Sequence, residues 1–162
     1  MKFAVMFLAL SGLAAPAYAG DPLTATLDAR RVVVAADGKE TLVVADTAKP
    51  NDVIEYRTTY RNVSKATVRG VAATLPVPYG FAYVAGTAGK TAQASVDGKT
   101  FAPLPLTRVV KLPDGRTRIE AVPVAEYRFL RWDLGNMPAN TTNTVVARMR
   151  MNGDAAVFTA AR

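Results

Sequence analysis

The side chains able to do chemistry in this chain are carboxylates and arginines, because its 162 residues include no histidine and no cysteine. The commonest general base, the commonest metal ligand and the thiol nucleophile are therefore missing, which removes most hydrolase mechanisms. A glycosidase needs only a pair of carboxyl groups. The glutamates, Glu40, Glu55, Glu120 and Glu126, fall singly on predicted strands or beside turns, so no such pair is expected. Asp37, Asp97 and Asp114 each precede a glycine, but none has the alternating acidic spacing of a calcium loop and all three read as hairpin turns. No enzyme activity, cofactor or metal is expected.

The arginines offer binding chemistry. Arg57, Arg61, Arg148 and Arg150 fall on the polar faces of predicted strands, and Arg128 and Arg131 interleave with Tyr127, Phe129 and Trp132. Arginine alternating with aromatic residues can hold a polyanion by charge and stacking. These six residues form the candidate site, with an anionic glycan or lipopolysaccharide as its partner class. Nucleic acid is not expected, since no nucleic-acid fold signature accompanies the basic residues. The plainer alternative makes Trp132 and Leu134 core and the arginines a solvated face whose stems cover apolar neighbours. By residue type, Lys49, Lys65, Asn62 and Glu55 could form an isopeptide bond, but that chemistry needs its groups buried together. The lysines fall in turns and Glu55 is expected outward.

The elements that must position these groups are strands. From Asn51 to Asn62 the chain alternates, with Ile54, Tyr56, Thr58 and Tyr60 on one face and Glu55, Arg57, Thr59 and Arg61 on the other. That period of two predicts a strand with one face buried. Lys49-Pro50-Asn51-Asp52 turns into it, Asn62 to Lys65 turns out of it, and a second strand ends at Pro76. Before it, Leu23 to Val34 reads as an N-terminal strand interrupted near Asp28 to Arg31. Thr41 to Ala45 returns from the Asp37-Gly38 turn. After it come short strands over Phe81 to Thr87, Ala92 to Val96 and Lys99 to Leu104, the last placed at an edge by Pro103 and Pro105. Val109 to Leu112 and Thr117 to Val122 form a third Asp-Gly hairpin. Ala125 to Leu134 is a strand, Gly135 to Asn140 turns the chain, and Asn143 to Met151 is the last long strand, with Val145, Ala147, Met149 and Met151 inward. About nine short strands and no helical stretch predict an all-β, antiparallel sandwich, with a barrel as the alternative.

Met1 to Ala19 stands apart. Lys2, the apolar run Phe3 to Leu10 and the closing Ala17-Tyr18-Ala19 predict a secretory signal peptide cleaved after Ala19. Its core is too short for an ordinary membrane span, and no later segment approaches the roughly 20 apolar residues a span needs. Taking 19 residues from 162 leaves 143, the size of one domain, 20–162. The whole chain carries 20 basic and 13 acidic groups, and loss of Lys2 reduces its net charge from +7 to +6. Such a charge favours anionic envelope polymers and also simply keeps a surface soluble. Without cysteine, stability rests on packing.

The stretch Asn51 to Asn62 resembles the "pGD-x-V-x-Y-x-I-x-V-x-N" segment of DUF11-type domains, a repeat of bacterial and archaeal envelope and surface proteins. Ala66-Thr67 through Leu75-Pro76, Phe81 to Thr87, and Trp132-Asp133-Leu134-Gly135 with Thr144-Val145 follow in the family's order, so the resemblance covers about 41–151. It departs at Asn51, Thr58 and Ala73, which stand where the family has glycine, an aliphatic residue and aspartate. The family occurs mostly as tandem copies, whereas one copy fills this chain. The resemblance implies an immunoglobulin-like sandwich and a structural or adhesive role in the periplasm or at the cell surface, without catalysis. Partners would be further copies of the chain or other envelope proteins. Leu23 to Val34 and Ala155 to Ala160 lie outside the family-like region, and either could complete a neighbour's sheet or serve as an edge strand of its own domain.

Overall fold

The computed structural model of the chain describes residues 21–153 and 158–159. The expected signal peptide lies outside these residues, as does most of the tail after Gly153.

The chain is all-β and its strand pairs are antiparallel. β1 (Leu23–Val34), β2 (Glu40–Val44), β4 (Val53–Asn62), β6 (Phe81–Tyr83) and β12 (Thr142–Met151) build a five-stranded sheet in the order β2-β1-β4-β12-β6. β5 (Val68–Pro76), β7 (Gln93–Ser95), β8 (Ala102–Pro103) and β11 (Phe129–Met137) build a four-stranded sheet in the order β5-β11-β7-β8. Two ribbons stand beside them: β9 (Thr107–Lys111) with β10 (Thr117–Ala121), and β3 (Thr47–Ala48) with β13 (Phe158–Thr159). The sequence predicts about nine strands, and the described residues contain thirteen because several are only two or three residues long.

Alternation in β4 explains the core. Ile54, Tyr56 and Thr58 are buried as their period of two requires, and Tyr60 is partly buried against the same cluster. β12 answers with Val145, Ala147, Met149 and Met151. From the four-stranded sheet, Ala73, Leu75, Ala94, Leu130 and Trp132 join the same hydrophobic cluster. A large aliphatic side chain buried as fully as Leu130 contributes about 2 kcal/mol relative to exposure. Within that core Tyr83 and Tyr127 stack with ring centroids 6.1 Å apart. The Tyr127 hydroxyl accepts from the Leu106 N–H at 2.9 Å, satisfying a buried donor.

Turn chemistry sets the registers. Asp97 Oδ1 accepts from the N–H groups of Lys99 and Thr100, and Asp37 and Asp114 accept from the backbone two residues on. Asn51 takes φ 72 in the turn that leads into β4, a conformation asparagine tolerates better than most residues. Asn62 is fully buried, and its amide donates to the carbonyls of Ala66, Met137 and Pro138. It ties the turn after β4 to the end of β11.

Four local expectations are corrected. β1 is continuous where an interruption near Asp28 to Arg31 is predicted, because β4 pairs with it residue by residue from Leu23↔Asn62 to Val32↔Val53. The N-terminal strand thus lies inside its own sheet. A 3-10 turn over Val124–Glu126 replaces the start of the strand expected from Ala125. β11 does not stop at Leu134; register shifts at Asp133/Gly135 and Gly135/Met137 carry it to Met137. Glu55 occupies the outward face of β4 but is only 6% exposed, because arginines cover it.

Candidate functional site

The six arginines do not form one surface. The strand pairings place Arg57, Arg61, Arg148 and Arg150 on the outward face of the five-stranded sheet, where Arg57 lies opposite Val146 and Arg61 opposite Thr142. Arg131 belongs to the other sheet, opposite Thr74 and Gln93, and Arg128 precedes it. Arg131 sits 3.5 Å over the Phe101 ring, and the Arg128 guanidinium donates to the carbonyls of Ala125 and Tyr127. Their partners are therefore within the fold.

On the five-stranded sheet the cations are matched by carboxylates. Arg148 engages Glu40 through two nitrogens, at 3.1 and 2.9 Å, and donates from Nε to Glu55 at 3.1 Å. Hydrogen bonding to Glu40 leads the effects that raise the Arg148 pKa further. Arg57 donates to the other oxygen of Glu55 at 3.0 Å. Asp28, directly across from Arg57, is held by Arg30. The face is a neutralised network with Arg61 and Arg150 exposed at its margins.

The Arg148–Glu40 pair also reports the shape of the sheet. β1 and β4 separate β2 from β12 in the strand order, and the row of Arg148 meets β2 at Val44, four residues from Glu40, so a flat sheet would hold the two residues about 19 Å apart, beyond the reach of their side chains. The two side chains nevertheless meet. The sheet curls and brings the turn end of β2 over its own outward face.

β2 ends the sheet and all five of its residues are exposed. Beside Val34 at 61%, it shows Leu42 at 41% and Val44 at 59%. These three side chains share the outward face, since Val34 pairs with Glu40 and Val32 with Leu42. No family model, curated protein or solved structure matches this chain. Its function has to be read from surfaces such as this one.

Three other places could bear on function. An open cleft of about 430 Å³ lies between β11 and β12, lined by Thr87, Gly89, Trp132, Leu134 and Val145 among others. Its polar groups are largely engaged: Trp132 Nε1 donates to the Ala88 carbonyl at 2.8 Å, and Thr87 Oγ1 donates to Val84 and accepts from the Arg148 N–H. The β9–β10 ribbon exposes Val109 and Ile119, directly opposite each other, at 69% and 72%. Asn62 and Glu55, named as isopeptide candidates, lie on opposite faces of β4, so one lysine cannot meet both. Among the described residues no three acidic side chains gather where a metal could be held, and no helix is long and apolar enough to cross a membrane.

Sequence reasoning finds the arginines but misses Glu40, which decides what Arg148 does. The alternation of β2 places Glu40 on the outward face, but only the curl of the sheet brings it to Arg148.

Proposed function

We propose that this chain is an exported immunoglobulin-like β-sandwich of the DUF11 type, acting as a non-catalytic structural or adhesion component of the bacterial envelope through self-association. Two antiparallel sheets sharing one core support the sandwich. The observation that carries the functional reading is the edge of β2, where apolar side chains stand exposed beside backbone that no strand of the described residues pairs. Natural edge strands are usually blunted by lysine, proline or a bulge, and an uncovered apolar edge is a template for pairing.

The reading as a polyanion-binding module is weaker, because Arg57 and Arg148 are held by glutamates and Arg128 and Arg131 by backbone carbonyls and the Phe101 ring. Ionic strength separates the two. Assembly through a strand edge persists in high salt, whereas attachment to lipopolysaccharide vesicles through arginines collapses. Sedimentation of the mature chain at low and high salt, with and without such vesicles, is the test. Vesicle binding lost with salt, by a chain that stays monomeric throughout, would replace the structural reading with the polymer-binding one.

A further inference from the structure

We infer that β2 is a self-complementary edge that pairs antiparallel with β2 of a second copy, centred on Leu42, to give one continuous sheet across a two-fold axis. The inference rests on the self-association proposed above and identifies the surface that carries it.

The backbone pattern comes first. The Ala35 N–H donates to the Lys39 carbonyl at 2.9 Å, so residues 35 and 39 form the hydrogen-bonded pair that closes the turn. Hydrogen-bonded and non-bonded pairs alternate along an antiparallel ladder. Val33↔Thr41 and Arg31↔Val43 are then bonded pairs, and Val34↔Glu40, Val32↔Leu42 and Arg30↔Val44 are not. The N–H and C=O groups of Glu40, Leu42 and Val44 therefore point away from β1, toward the open edge.

A second β2 in antiparallel register supplies the complement. With Leu42 opposite Leu42 of the other copy, Glu40 of each faces Val44 of the other, and all three opposed positions are hydrogen-bonded pairs. About six hydrogen bonds form from groups otherwise left to water. Identical strands can satisfy each other in this way about a two-fold axis, which closes the assembly at two copies.

The side chains agree with the backbone. Leu42, Val44 and Val34 continue as one apolar stripe across the axis. Charge does not oppose the approach, because Glu40 is the only charged residue in β2 and Arg148 already holds its carboxylate with two nitrogens. β2 contains no lysine, no proline and no glycine to protect it. The β9–β10 ribbon, also apolar at Val109 and Ile119, carries Arg108, Lys111, Arg118 and Glu120 among its residues, against the single, ion-paired Glu40 of β2.

The test is sedimentation velocity of the mature chain across a concentration series, with Leu42→Lys, Val44→Pro and Ile119→Lys as variants. Lysine at 42 puts two charges opposite each other at the axis. Proline at 44 removes an N–H used only between copies, so the hydrogen bonds between β1 and β2 survive, and circular dichroism checks that both variants fold. The expected result is a reversible dimer in the parent and in Ile119→Lys, with dissociation raised on the order of tenfold or more in the two β2 variants. A parent dimer unaffected by both β2 variants would overturn the β2 assignment and leave self-association standing. A parent that remains monomeric at every concentration would overturn both.

Discussion

Arg148 grips Glu40 through two nitrogens although the residues lie 108 positions apart in the chain and two strands separate theirs in the sheet. The contact fastens the turn end of β2 to β12, and the same guanidinium covers the buried Glu55. Arg148 therefore connects core stability with the condition of the sheet edge.

Arg148→Ala should destabilise the fold by about 2 kcal/mol, since it leaves a carboxylate that is almost out of solvent with Arg57 alone. Arg57→Ala should cost at most about 1 kcal/mol, because its own side chain is half exposed and Arg148 continues to hold Glu55. Urea denaturation of the two variants measures the difference. Equal losses would show that the two arginines share Glu55 evenly.

Asn62→Ala should cost about 2–4 kcal/mol, because the carbonyls of Met137 and Ala66 lose a buried donor at 2.8 Å. Asn136→Ala is the comparison: Asn136 is exposed and only its Oδ1 accepts from the Gly70 N–H, at 3.4 Å, so its loss should be small. Thermal midpoints that fall equally in both would remove the role assigned to Asn62 as the tie between β4 and β11.

Gly98→Ala should lower stability by about 1–3 kcal/mol. Gly98 has φ +74, and an added Cβ would lie 2.8 Å from the Phe129 ring. Gly115, also at positive φ in the third Asp-Gly turn, has open space around it. Gly115→Ala should therefore suffer the backbone strain alone, and the excess loss at position 98 measures the ring contact.

These positions show what a linear reading can and cannot reach. The inward set of β4 and β12, the Asp-Gly turns and the edge placement of β8 follow from alternation and turn chemistry, both local. The continuity of β1 through Asp28 to Arg31 is not local, since it depends on ten successive partners in β4. The bulge that extends β11 to Met137 and the curl that brings Glu40 to Arg148 arise from the sheet as a whole. For the same reason the six candidate arginines are legible in the sequence, but not their separation across the fold or the pairing of Arg57 and Arg148 with glutamates.

Asp97 supplies a pH dependence. The N–H groups of Thr100 and Lys99, with the Ser95 hydroxyl, lower its pKa from 3.8 to about 2. The folded state therefore holds the ionised form in preference to the unfolded chain. This contribution is complete above the unfolded value and is lost as pH falls from about 4 toward 2. Asp97→Ala should flatten that part of the acid limb in urea titrations, while stability near neutrality falls through loss of the turn. An unchanged acid limb would remove Asp97 as its source.

The pairing of β2 can be tested most directly by placing one cysteine in a chain that has none. In the antiparallel register Leu42 lies opposite itself in a hydrogen-bonded pair, with Cα and Cβ atoms about 5.5 Å apart, too wide for an unstrained disulfide but within the span of a short bifunctional thiol reagent. With such a reagent Leu42→Cys should cross-link rapidly to a covalent dimer, whereas Ile119→Cys, exposed on the β9–β10 ribbon, should cross-link only at the slow rate of random collision. Slow, collision-limited cross-linking at both positions, or faster cross-linking at 119, would contradict the account.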